Sequence, residues 1–403
     1  MYSSLSDDSA KTPTVTRRQF VQIGAVGAGV LLGTPHLWAQ QASQPSPPPK
    51  PKTNIDDALK VARTKYSLPG LFPGKVVHVQ DAQAVTDGRI VPSAVERMFA
   101  RGLQELTGQN SSESFNLLFT KDDVVGIKVN PAGAGIISTR PEVVDVVIAW
   151  LLSNGLPKQN IIIWDRFDMM LKDAGYTPER FPGIKIEGLQ TMVEKLPEGD
   201  NADHSAWLDK DGNHISAGNF DQDVYYWADV EGPKDLPYLN QHVFNGKYSY
   251  FGKLVTQKLT KIINIPVFKN TGNGVSMATK NLGYGAICNT NRLHTPLFFD
   301  VCTEVLAFPA LRDKLVLNII DGLRGQYEGG PMPAAQFVYD YNSLFFATDP
   351  FAADSVGHEL MVQKRKEMGI KVNEHPRFTE YLRYAERLGL GVVDPAKVQV
   401  RHV

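Results

Sequence analysis

Charged and amide side chains recur at one kind of place in this chain, at the ends of short apolar runs. Ile127-Lys128-Val129-Asn130, Trp164-Asp165-Arg166, Val267-Phe268-Lys269-Asn270 and Ile319-Ile320-Asp321-Gly322 all follow this rule. In open α/β sheets, ligands bind beyond the carboxyl ends of the strands. Lysines held there would bind or polarise an anion, and aspartates would act as proton acceptors or metal ligands. Lys128 has apolar neighbours on both sides, so once buried it needs a partner or a ligand. The catalytic candidates are therefore Lys128, Asp165, Lys269 and Asp321, with Asn130, Arg166 and Asn270 beside them as binding groups.

A glycine loop, Gly272-Asn273-Gly274, follows Lys269 and precedes an expected helix bearing Lys280 and Asn281. Glycines before a helix N-terminus expose backbone N–H groups to an anion such as phosphate or carboxylate. The spacing matches neither the P-loop nor the dinucleotide fingerprint. A second glycine-rich loop, Gly322 to Pro331, carries Arg324 and Glu328, which could reach the same crevice. Asp354 and His358 are four apart in an expected helix, a spacing that suits a shared metal and equally an ordinary helix ion pair. Asp209 to Asn213 departs from a calcium loop in glycine position and lacks the terminal glutamate, so a hairpin turn is expected. Asp203, His204 and His214 are too scattered to form a motif.

The elements that would position these residues alternate. Lys75 to Val79, Asp123 to Val129, Asn160 to Trp164, a short segment at Lys185, Lys261 to Phe268, Leu315 to Ile320 and Leu344 to Ala347 read as strands. Helices are expected from Ser93 to Gly108 and from Thr139 to Gly155, each behind a capping box. Further helices are expected around Met277 to Leu282, from Pro296 to Phe308, and after Asp349-Pro350. Strand–helix–strand at this spacing predicts an α/β fold, with a mostly parallel sheet flanked by helices. Residues 188–253 break the pattern and read as an irregular insertion or lid.

Composition narrows the class. The 403 residues are 42% hydrophobic and 21% charged, so the bulk is globular. A formal charge of -1 argues against a nucleic-acid binder, which shows a basic excess. Two cysteines, Cys288 and Cys302, cannot build a four-cysteine iron–sulfur cluster from this chain; they read as one disulfide or as two buried thiols.

The first residues differ from the rest. Arg17-Arg18-Gln19-Phe20 precedes a short glycine-rich apolar run and Ala39, which reads as a twin-arginine signal over residues 1–39, handled by the Tat translocase. The apolar run is short for a membrane span, so export to the periplasm is expected ahead of anchoring. Residues 40–53 hold five prolines among Gln, Ser and Lys, an extended linker. The domain proper then covers 54–403. Loss of Asp7, Asp8, Lys11, Arg17 and Arg18 with the signal leaves the domain near neutral.

Asp123 to Asn130, Asn160 to Arg166, Pro266 to Asn281 and Asp349 to Asp354 together resemble the family catalogued as domain of unknown function 362. The resemblance spans roughly Val76 to His358 and is weakest over 188–253. Some members carry ferredoxin-like cysteine clusters, which this chain lacks, so the resemblance implies no iron–sulfur electron transfer for this chain alone. The family's activity is not established. Two functions are expected to compete. One is an exported enzyme for a small anionic substrate, with a divalent metal ion as its cofactor candidate. The other is a non-catalytic periplasmic binding protein or assembly factor for a redox enzyme, with the tyrosine-rich insertion as contact surface.

Overall fold

A computed structural model describes residues 50–190, 217–230, 247–294 and 297–403. The signal and most of the linker lie outside the described residues, as do Asp203, His204, Asp209 to Asn213 and His214. Lys50–Val403 forms one compact unit. Among the described residues, no helix is long and apolar enough to cross a membrane.

Strands in chain order are β1 (Lys75–Gln80), β2 (Val85–Thr86), β3 (Arg89–Ile90), β4 (Val125–Val129), β5 (Ile161–Phe167) and β6 (Lys185–Gln190). Then come β7 (Phe220–Trp227), β8 (Tyr248–Gly252), β9 (Lys261–Ile265), β10 (Val267–Thr271) and β11 (Gly274–Val275). The last are β12 (Leu315–Gln326), β13 (Val338–Tyr339), β14 (Ser343–Ala347) and β15 (Gln399–His402). One eleven-stranded sheet runs in the order β15-β1-β14-β12-β9-β4-β5-β6, with β10 and β13 attached at β12 and β11 paired to β10. The pairs around the centre, β12–β9, β9–β4, β4–β5 and β5–β6, are parallel, whereas β14 runs antiparallel to both of its neighbours. The protein therefore has an α/β fold with a mixed, mostly parallel sheet.

Sequence accounts for this locally. β4 and β9 are buried at every position, as strands covered on both faces must be, which is why they read as unbroken apolar runs. Alternation along each strand then divides the core. Ile127, Val129, Ile163 and Ile265 face the helices Pro92–Thr107 and Pro141–Ser153, while Trp164, Ile162 and Ile262 face the opposite layer. That opposite layer contains the helices Ala278–Gly283, Asp300–Leu306 and Glu380–Arg387 and the β7–β8 hairpin. Pro266 separates β9 from β10. A proline cannot donate to a ladder, so the strand breaks there. β10 continues beside β12 with a register shift.

Helix ends correct several expectations. Pro92–Thr107 begins at Val91 with Pro92 in its first position and uses no Ser93 cap; it ends at Gly108 with φ +72. Pro141–Ser153 begins at Arg140, and Thr139 serves elsewhere: its hydroxyl donates to Ile265 O at 2.6 Å and accepts from Asn130 N at 2.8 Å. The capping box present is at Asn110 and Glu113. Asp349 caps Pro350–Glu367 as its sequence implies. The C-terminal helix Glu380–Arg387 and β15, which pairs with β1, carried no expectation.

Candidate functional site

Lys128 is the penultimate residue of β4, with Asn264 of β9 on one side and Trp164 of β5 on the other. Its side chain is 1% exposed. The ammonium donates to Val129 O at 2.8 Å, to Asn281 Oδ1 at 3.1 Å and to Asp165 Oδ1. A lysine ammonium has three N–H donors, so this one is fully committed inside the protein. Burial pulls its pKa down and Asp165 opposes that pull. Gly285 makes room for the chain: a Cβ there would lie 2.6 Å from Lys128 Cε and 2.2 Å from Asn281 O. Asn281 Nδ2 in turn donates to Asn264 Oδ1 at 2.8 Å, and Asn264 Nδ2 donates to Asn318 Oδ1 at 2.9 Å and to Ala278 O at 3.0 Å. A chain of amides thus fixes Lys128 from below.

Lys269, on β10, is equally buried but differently satisfied. It donates to Asn130 Oδ1 at 3.2 Å and to Ala132 O at 3.0 Å, both neutral. Burial, with repulsion from Lys280 and Lys128, lowers its pKa to about 7. One donor remains for a ligand. Lys280 makes no hydrogen bond or ion pair among the described residues; its ammonium is 5.2 Å from the ring centre of Tyr284 and 5.6 Å from that of Phe298. Burial lowers its pKa as well. Arg166 hydrogen-bonds Thr290 and reaches Gln190 Oε1 at 3.4 Å. His294 packs tilted against Tyr284 at 4.5 Å and is held below the ordinary imidazole value chiefly by burial, with Lys280 and Arg166 adding repulsion. Lys269 thus feels the charges of Lys128, Lys280 and Asp165, and Arg166 feels Asp165, so among the described residues several cations lie around this carboxylate. That excess of positive charge suits an anion.

Other candidates are placed elsewhere. Asp321 is on the opposite face of the sheet, accepting from Arg140 N at 2.7 Å and Leu323 N at 3.1 Å; burial raises its pKa to about 6. It anchors Arg140, the residue that precedes the helix Pro141–Ser153, and does not meet the lysines. Gly272 and Asn273 form the tight β10–β11 turn, with Thr271 paired to Gly274, so the glycines make a hairpin and not a helix entry. Asn270 is used to fix that turn, through Gly272 O at 2.9 Å and Gly330 N at 2.9 Å. Arg324 pairs with Asp340 at 2.7 Å and Glu328 with Arg365, so neither enters the crevice.

The N-terminus of the helix Ala278–Gly283 is filled by the protein itself. Asp354 accepts from Ala278 N at 2.7 Å, Thr279 N at 3.0 Å and the Thr279 hydroxyl at 2.5 Å. His358 Nε2 is 3.3 Å from Asn273 O. Asp354 and His358 thus each have a partner of their own, and the two form no ion pair with each other. No group of three or more His, Cys, Asp or Glu is positioned to hold a metal ion among the described residues. Cys288 and Cys302 are free, buried thiols, pushed up to about 12 by burial.

A cavity of about 580 Å³ lies beside the cluster, lined by His294, Phe298, Phe299, Arg377, Phe378 and Tyr381 among others. None of the lysines lines it. Phe298 is the link, belonging both to its wall and to the aromatic pair beside Lys280. Sequence reasoning missed Gly285, Asn264, Asn318 and His294. Their types are ordinary in such segments, and only the register across β4, β9 and β12 brings the two asparagines together.

Fold and site together define an α/β protein with a buried cation cluster at the carboxyl ends of parallel strands. Within that class, a model of the family described as domain of unknown function (DUF362) matches residues 227–359, a segment that includes Lys269, Lys280, Asn281, Asp321 and Asp354. Lys128 and Asp165 lie outside that match. A crystal structure of a protein from Thermotoga maritima is similar over 68% of this chain and 59% of that chain, at 11% identity and a TM-score of 0.34. No curated protein matches.

Proposed function

We propose that this chain is an exported enzyme that binds a small anion with Lys280 and Arg166 and moves a proton with Lys269. Export rests on the twin-arginine segment, and membership of the 362 family rests on the match over 227–359 together with the motifs around Lys128 and Asp165. The carrying observation is the contrast between two buried lysines. Lys128 has every donor committed and is a structural ion pair with Asp165. Lys269 has two neutral acceptors, a spare donor and a pKa of about 7. A lysine tuned near neutrality is available as amine or ammonium at working pH, which is what general acid–base catalysis needs. Lys280, with no acceptor of its own among the described residues, is the first contact for an anion.

The non-catalytic alternative has less support. Among the described residues of the β7–β8 hairpin, Tyr226 and Phe251 are buried, and Tyr225, Tyr248 and Tyr250 pack on one another, so part of the aromatic set serves the fold and not a redox-enzyme partner.

Calorimetry with inorganic phosphate and with malonate tests the reading. Wild type should bind one of them, and Lys280→Met should weaken binding about tenfold or more, as loss of a desolvated charge contact does. Lys269→Arg separates enzyme from binder: it keeps a positive charge but cannot act as base near neutral pH. Unchanged turnover of a screened substrate by Lys269→Arg, or unchanged binding by Lys280→Met, sinks the assignment.

A further inference from the structure

The short segment that leads into the domain is bound to its surface at two points. Residues 52–54 lie antiparallel against the end of β7. Thr53 bridges Ala228, Asp229 N donates to Lys52 O at 2.8 Å, and Asn54 N donates to Trp227 O at 3.1 Å. Asn54 adds side-chain bonds, accepting from Trp227 N at 2.6 Å and donating to Tyr225 O at 3.1 Å. β8 takes the other edge of β7. Among the described residues, this segment is what covers that edge of β7.

The second point is a socket for Lys50. Its ammonium is 2.6 Å from Glu304 Oε1 and 3.1 Å from Asp300 Oδ2, and 3.8 Å from the ring centre of Tyr384. Glu304 has a side chain 1% exposed, and it also accepts from the hydroxyls of Tyr226 at 2.7 Å and Tyr384 at 3.0 Å. Among the described residues, Lys50 is the cation paired with this carboxylate. Removing it would leave a charge sealed from water with only two neutral donors, an unfavourable state.

Both acids of the socket sit on the helix Asp300–Leu306. That helix packs backbone to backbone against Ala278–Gly283, where a Cβ on Gly283 would lie 2.9 Å from Cys302 Cα. Helices packed this closely transmit displacement to one another. Ala278–Gly283 carries Lys280 and Asn281.

We propose that Lys50 is a positioning residue: it fastens residues 50–54 as a strap, and through Glu304 and Asp300 the strap holds the Asp300 helix, and with it Lys280, in register. The strap follows the expected cleavage point after Ala39, so a processed chain retains it. The contacts of the strap do not depend on what the cation cluster binds.

Hydrogen exchange on the full chain tests this. In Lys50→Met the amides of Asn54 and Asp229 should exchange about tenfold faster or more, as should those of residues 281–283, while Lys50→Arg should restore protection. Unchanged exchange at Asn54 and Asp229 overturns the strap. Faster exchange there with no change at 281–283 overturns the coupling to Lys280. If Lys50→Met does not fold, the double variant Lys50→Met/Glu304→Gln, which leaves no uncompensated charge, should fold with the strap released. Protection kept at Asn54 in that variant also overturns the proposal.

Discussion

Lys128 and Asp165 form a closed ion pair between β4 and β5, and the lysine spends its remaining donors on Val129 O and Asn281. Removing one partner of a buried pair leaves the other charge without compensation, which costs about 3–5 kcal/mol. Asp165→Asn and Lys128→Met should each lower unfolding free energy by that order in urea denaturation. The double variant Lys128→Met/Asp165→Leu should lose much less than the sum of the two, because no lone charge remains. Additive losses would mean that the two side chains act separately.

Lys269 gives a pH signature of opposite sign to an ordinary salt-bridged lysine. Its folded pKa, about 7, lies below the unfolded value, so between pH 7 and the normal lysine range the unfolded chain binds more protons. Wild-type stability from this group should therefore rise as pH rises through that window and be flat below it. In Lys269→Met that rise should vanish. Chemical denaturation from pH 6 to pH 10 on both proteins checks it, and parallel curves would show that the lysine titrates normally.

Asp354 and Asp321 behave the other way. Burial raises both to about 6, so the folded state holds protons that the unfolded state has released, and their contribution falls as pH rises from about 4 to 6. Asp354→Asn should flatten part of that fall. It should also cost about 1–3 kcal/mol at pH 7, because Ala278 N and Thr279 N lose a charged acceptor. Divalent cations should leave the melting temperature of wild type unchanged if Asp354 is a cap; a metal-dependent upward shift absent from the variant would restore the metal reading.

Gly285 predicts a steric test. A methyl group there would meet Lys128 and the carbonyl of Asn281 far inside contact distance. Gly285→Ala should destabilise by about 1–3 kcal/mol, the range for overpacking a filled core. It should also displace Asn281, visible as a chemical-shift change in its side-chain amide. A neutral effect would show that Lys128 can relax.

Much of this was legible in the chain. β4, β5 and β9 announce themselves as apolar runs because both faces of a parallel sheet are covered, and Asp349-Pro350 marks its helix start through local chemistry alone. The placement of Lys128 beside Asp165 and near Lys269 and Lys280 follows from the rule about strand ends. What failed depended on which face of a strand a residue occupies. Asp321 ends its apolar run as Lys269 does, yet one residue of phase sends its carboxylate to the helix at Arg140. Gly272 and Gly274 carry a turn signal that fits a hairpin as well as a helix entry, and only pairing with Asn270 and Thr271 decides. Gly285 and Asn264 have no local signature, because their roles are contacts with residues far along the chain.

The pairing of β1 with β14 joins Val77 to Phe346, and β15 then adds His402 beside His78. Loop closure over such separations is entropically expensive and comes late. A nascent chain can assemble β4, β5 and β9 early, but β1 has no partner until residues 343–347 exist, and no outer neighbour until 399–402 do. The first strand of the sheet thus waits on the last quarter of the chain for both of its pairing partners.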